Sequence, residues 1–167
     1  VTISGTNDAP TLTAGLVSNT EDELEDGITV DAGSSDLLSG ATDIDDADGS
    51  LTIAEIDGAS GKVGSAVTVA LSYTDADGNG KTQDVELTVN SDGSYSVAGV
   101  DLDALPAGES AVGTFSYRVA DDDGVLSSER SAQITISGSD DLPTITAGPA
   151  SETLVEAGGV ENGIVET

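Results

Sequence analysis

Asp75, Asp77, Asn79, Gly80 and Glu86 stand at positions one, three, five, six and twelve of the run "DADGNGKTQDVE". That is the D-x-[DN]-x-[DN]-G-x5-E spacing of an EF-hand loop, which wraps carboxylate and carbonyl oxygens around a calcium ion. Such a loop works only when two helices hold its ends. The flanks are not helical. Upstream, Val67, Val69, Leu71 and Tyr73 alternate with Thr68, Ala70 and Ser72; downstream, Val85, Leu87 and Val89 alternate with Asp84, Glu86 and Thr88. Period two with β-branched residues predicts strands. The run is therefore a hairpin whose tip, Asp75, Asp77 and Asn79, either curls around a hard cation or is a solvated turn. Glu86 falls on the outward face of the second strand.

The 167-residue chain carries 32 acidic and 4 basic side chains, a formal net charge of -28. Charge of this size opposes compaction unless cations neutralise it, and it disfavours nucleic acid or an anionic membrane surface as partners. The sequence has no His, Cys, Met or Trp. Thiol nucleophiles, the usual zinc sites, histidine-dependent triads and disulfide staples are thereby excluded. The aromatics are Tyr73, Tyr95, Phe115 and Tyr117; their inward parity assigns them to a core of Val, Leu, Ile and Ala rather than to a carbohydrate platform. No apolar run reaches the roughly 18 residues of a membrane span, and the first residues lack a basic-then-apolar signal peptide, so no direct membrane insertion is expected.

The chain repeats itself. Residues 1–15 read "VTISGTNDAPTLTAG" and residues 134–148 read "ITISGSDDLPTITAG", identical at ten of fifteen positions at an offset of 133. This is the mark of a tandem array. Residues 1–8 then close one repeat, 9–141 form a complete one, and 142–167 open the next. Within the complete repeat, strands are expected over 11–14, 27–32, 51–56, 67–73, 82–89, 94–100, 113–120 and 131–137, separated by segments such as "DIDDADG", "NSDG" and "ADDDG". Only "DLDALPAGE" could hold a turn of helix. Short strands between Asp-Gly turns predict an all-β fold, a Greek-key β-sandwich of immunoglobulin or cadherin-like type.

In a serial array the last strand must leave at the end where the next repeat begins. The loop joining the last two strands, with Asp121, Asp122 and Asp123, then faces the junction where Asn7 and Asp8 enter. The loop "ATDIDDADG" returns to the same end if the first two strands are antiparallel, adding Asp43, Asp45, Asp46 and Asp48. Clustered carboxylates are costly unless paired, and calcium, which accepts about six to eight oxygens in irregular geometry, removes that cost. Pro10, repeated as Pro143, stiffens the exit from such a site.

Several of these segments carry a family resemblance. "SGATDIDDADGSLTI" is similar to the A-x-D-x-D segment of cadherin repeats, and "GTNDAP" to their linker. Closer still, the chain resembles the VCBS or cadherin-like repeats of very large RTX-type bacterial surface adhesins. It shares with them Thr20-Glu21-Asp22 near the repeat's start, Ser91-Asp92-Gly93 in a hairpin, "LPAGES", "FSYRVADDDG" and the closing "ITISGSDDLP". Residues 57–66 match none of these motifs, and Asp140 stands where the family more usually has Asn. The resemblance implies an extracellular spacer on the bacterial cell surface, supporting adhesion and biofilm formation, whose partners are neighbouring repeats and whose cofactor is Ca2+. Carried over residue by residue, it implies an inter-repeat site of Asn7, Asp8, Glu21, Asp43, Asp45 and Asp123, with Asp140 and Asp141 serving the next joint.

Plainer readings stand beside these. "NSDG" is an ordinary hairpin turn and "TEDELEDG" a solvated edge. Acids kept for solubility would spread evenly over the strands, whereas here they concentrate in loops. A second functional class is a calcium-dependent fibre or matrix subunit, in which residues 1–5 or the segment after 142 pair with like chains. A third, a glycosidase built on paired carboxylates, needs a cleft, a carboxyl of raised pKa and flanking aromatics. Acids in turn-like contexts and so few aromatics do not suit it, and no enzymatic role is expected.

Overall fold

The computed structural model describes residues 1–140 apart from 3, 14, 34 and 47–49. In chain order the elements are β1 (Thr11–Leu12), β2 (Leu16–Thr20), a one-turn helix α1 (Glu21–Glu25), β3 (Ile28–Val30), β4 (Ala41–Thr42), β5 (Thr52–Ile56), a 3-10 turn (Ser60–Lys62), β6 (Ala66–Thr74), β7 (Gly80–Val89), β8 (Tyr95–Val97), β9 (Ser110–Ala120) and β10 (Arg130–Ser137). The fold is all-β. The hydrogen-bonded path runs β2-β10-β9-β6-β7-β8-β3, β5 joins β9, and β1 pairs separately with β4. All these pairings are antiparallel except that of β2 with β10, which is parallel.

β9 is the spine. One side pairs with β10 from Ser110 opposite Ser137 to Tyr117 opposite Arg130. The other divides between β6, at Val112 opposite Ser72, and β5, from Tyr117 opposite Ile56 to Ala120 opposite Thr52. Gly113 lets β6 approach: a Cβ there would lie 2.9 Å from the Ala70 carbonyl oxygen and 2.8 Å from Leu71 Cδ2, so a side chain would force the strands apart. Alternation along β9 buries Ala111, Phe115, Tyr117 and Val119, and one apolar cluster extends from Leu12 to Ile136. Tyr95 is buried as well, while Tyr73 packs against the core half-exposed.

The expected strands from residue 51 onward all form, with ends shifted by a few residues. The N-terminal third differs. β2 and β4 were not expected, because five and two residues give too little periodicity. The helical turn is not in 101–109 but at α1, where Thr20 and Glu23 make a capping box: Glu23 N–H donates to Thr20 Oγ1 at 3.4 Å and Thr20 N–H donates to Glu23 Oε2 at 3.1 Å. The T-x-x-E spacing was legible. "TEDELEDG" is not a solvated edge, since Glu21 and Leu24 are buried. Residues 57–66 are stitched to β9 by Asp57, whose N–H donates to the Ser116 carbonyl at 2.8 Å and whose carboxylate accepts from Ser116 N–H at 2.9 Å and Lys62 Nζ at 3.2 Å.

Tyr117 locks the N-terminal segment onto this spine. Its hydroxyl lies 3.3 Å from the carbonyl oxygens of both Thr13 and Leu37. Tyr117→Phe is expected to cost about 1 kcal/mol by leaving those carbonyls without this donor. The measurement is the urea midpoint, which falls while far-UV circular dichroism is unchanged; an unshifted midpoint would show that the carbonyls find other donors.

Candidate functional site

Strand register sorts the acids into two groups at opposite ends. At the proximal end, β1 and β4 pair with Thr11 opposite Thr42, so the chain before β1 and the chain after β4 run side by side. Asp8 N–H donates to Asp45 Oδ2 at 2.8 Å. Asp43 Oδ1 accepts from the N–H groups of Asp45 and Asp46 at 2.8 and 3.2 Å, a turn of the kind Asp favours. The loop after β9 reaches the same end: Asn7 Nδ2 donates to Asp121 Oδ2 at 2.7 Å, and Val125 N–H donates to Asp121 Oδ1 at 2.7 Å. Asn7, Asp8, Asp43, Asp45 and Asp121 are thus brought together. Asp123 is exposed in the same loop. Asp48 and Asp141 lie outside the described residues.

The electrostatics of this pole are unfavourable as it stands. Loss of solvent, then the charge of Asp122, push the Asp46 carboxyl above its usual value, and Asp43 adds to the effect. Desolvation also opposes ionisation of Asp121, but it is outweighed by the Val125 N–H and the Asn7 amide, which hold that carboxyl below its usual value. Asp43 Oδ2 and Asp46 Oδ2 are buried without a partner.

The distal end is built by the parallel pairing of β2 with β10, which sets Thr20 opposite Ser137. Helix α1 therefore begins where β10 ends. Glu21 is only 3% exposed, and its Oε1 accepts from Ser139 N–H at 2.9 Å. The Ser139 hydroxyl lies 3.0 Å from the same oxygen and 3.1 Å from Asp22 Oδ1. Glu21 Oε2 is buried without a partner. This corrects the grouping of Glu21 with Asn7, Asp8, Asp43 and Asp45: within one repeat it sits at the other end, beside the exposed Asp140, because β2 carries it there.

The β6–β7 hairpin also points distally, since Ser72 of β6 faces Val112 near the start of β9. Its tip is largely self-satisfied. Asp75 Oδ1 accepts from the N–H groups of Asp77 and Asn79 at 3.0 and 2.8 Å and from Asn79 Nδ2 at 3.3 Å. Lys81 Nζ lies 3.3 Å from Asp75 Oδ2. The Asn79 N–H above all holds the Asp75 carboxyl below its usual value. Asp77 and Asn79 themselves are exposed. Glu86 is remote from the tip, accepting from Thr68 Oγ1 at 2.8 Å across the strands.

Sequence reasoning missed one constellation. Glu25, Asp101 and Asp103 bring three carboxylate oxygens within 4.8 Å of one another, close enough to hold one metal ion. The D-x-D spacing of Asp101 and Asp103 was visible, and Asp103 N–H does donate to Asp101 Oδ1 at 2.8 Å. Their meeting with Glu25 depends on a tertiary contact, Val100 N–H donating to the Leu24 carbonyl at 3.3 Å.

No protein-family model matches the chain, and no curated protein is significantly similar to it. Among the described residues no helix is long and apolar enough to cross a membrane.

The raised Asp46 gives a test of the proximal cluster. A carboxyl whose pKa rises on folding contributes stability at low pH and loses it as pH climbs above the usual Asp value of 3.8. In chelator at neutral pH, Asp46→Asn is therefore expected to raise the melting temperature. Asp121, shifted the other way, contributes stability at neutral pH that is lost on acidification, so Asp121→Asn lowers it. Scanning calorimetry across the acid-to-neutral range reads both; shifts of the same sign would refute the assigned electrostatics.

Proposed function

We propose that this chain is a calcium-stiffened spacer from a large secreted bacterial surface adhesin, one cadherin-like Greek-key sandwich in a tandem array. The observation that carries this reading is that the segments entering and leaving the fold are each tied to it. Ser139 is tied to Glu21 at the distal pole. Asp140, the next residue, is the counterpart one repeat later of Asn7, which is tied to Asp121 at a proximal pole. Neighbouring Cα atoms are about 3.8 Å apart, so if the next repeat folds alike, the two poles abut.

Two acidic faces pressed together repel strongly unless a cation lies between them. The donor sets suit a hard divalent ion. They consist of carboxylate and amide oxygens, and among the described residues three of the four buried, unpartnered side-chain polar atoms are carboxylate oxygens at these poles. Irregular multi-oxygen geometry favours calcium over magnesium. Strand exchange into a fibre is less favoured, because β10 already fills its place between β2 and β9 and an incoming strand would have to displace it.

The test uses two repeats joined at the natural offset, residues 1–140 continuing into 8–167. Calcium at about 100 times its dissociation constant is expected to add roughly 2.7 kcal/mol per bound site, raising the melting temperature and narrowing the distribution of lengths measured by small-angle scattering. Asp43→Ala combined with Asp45→Ala in the second repeat loosens the joint and leaves both cores folded. Dimensions and melting unmoved by chelation would end the spacer reading; calcium-dependent chain-to-chain assembly would favour the fibre.

A further inference from the structure

Among the described residues the large apolar side chains left exposed are Val1, Ile44 at 84% and Val125 at 39%. Ile44 and Val125 both stand in the loops that carry the proximal carboxylates. Turn chemistry does not call for an isoleucine at 44, because the turn is made by Asp43 and the backbone N–H groups of Asp45 and Asp46. Ile44 borders a hollow of about 430 Å³ together with Ala9, Thr11 and Thr42. The distal pole carries a smaller hollow of about 230 Å³, lined by Ala76, Ala104 and Pro106 together with Asp75, Asp77 and Asp103.

We propose that the proximal pole is a docking face for the distal pole of the preceding repeat, with Ile44 seated in the Ala76–Ala104–Pro106 hollow. This rests on the tandem-array reading and adds to it. The occupant follows from the short joint: Ser139 is tied to the distal pole and Asn7, the counterpart of Asp140 one repeat earlier, to the proximal pole, so in a tandem array whatever projects from one face meets the other. Calcium tolerates many ligand arrangements and therefore holds two faces together without fixing their rotation about the long axis. An apolar knob in a matching hollow fixes it. The carboxylates on both sides make the contact ion-dependent, since without cations they repel before the apolar surfaces touch.

The experiment uses the two-repeat chain, with distances across the joint measured by paired spin labels in saturating calcium. Ile44→Ser in the second repeat is expected to lower the closed-to-open ratio by about tenfold, the effect of burying much of one isoleucine side chain. Calcium stoichiometry and the melting temperature of the single-repeat chain stay unchanged, because Ile44 touches little within its own repeat. Ala104→Glu in the first repeat does the same, and the two substitutions together do no more than either alone. If both variants leave the distances unchanged while chelation still opens the joint, the docking contact is refuted and the spacer reading survives. If chelation itself changes nothing, both fall.

Discussion

Like-charge repulsion is the constraint around which this molecule is arranged. A chain with a formal net charge of -28 must close an apolar core without drawing carboxylates into it. It does so by keeping the buried faces of its long strands to residues such as Val69, Leu71, Phe115, Val119 and Ile134 and, with exceptions such as the buried Glu21 of α1, sending its acids to the turns. There Asp43, Asp75, Asp92 and Asp101 each accept backbone N–H groups from their own loops. The same carboxylates that shape the turns therefore accumulate at the ends of the strands, and polarity along the long axis follows from turn chemistry.

The two ends meet this constraint differently. At the proximal pole the incoming segment is itself part of the cluster, with Asn7 and Asp8 hydrogen-bonded to Asp121 and Asp45. At the distal pole the outgoing segment is clasped by a buried glutamate through Ser139. Each end leaves carboxylate oxygens buried and unpartnered, which is unfavourable in isolation and suited to completion by an ion. The proposed joint draws on both: cations supply the attraction, and Ile44 supplies the shape that ions alone do not.

The long period-two segments were legible because their pattern spans enough residues to outweigh local alternatives, as in β6, β7 and β9. The short pieces were not. β1 and β4 exist only because they pair with each other, and β2 only because β10 offers it an edge. Among the candidate ligands, Asn7, Asp8, Asp43, Asp45 and Asp121 could be grouped from serial geometry, since the direction of the last strand dictates which loops share an end. Glu21 could not be placed that way: it is near Asn7 in the chain, yet the segment through β1 and β2 carries the chain from one end of the fold to the other between them.

What the sequence determined by itself was the class of fold, the concentration of acids in loops and the repeat at an offset of 133, because periodicity, composition and self-similarity are local or linear properties. What only the tertiary structure decided was which acids face one another. Glu25 meets Asp101 and Asp103, and Glu21 clasps Ser139 at the end opposite Asn7, across separations in the chain that no spacing rule encodes. The physical reason is that strand register, set by the packing of the whole core, chooses the end of the molecule at which each loop emerges.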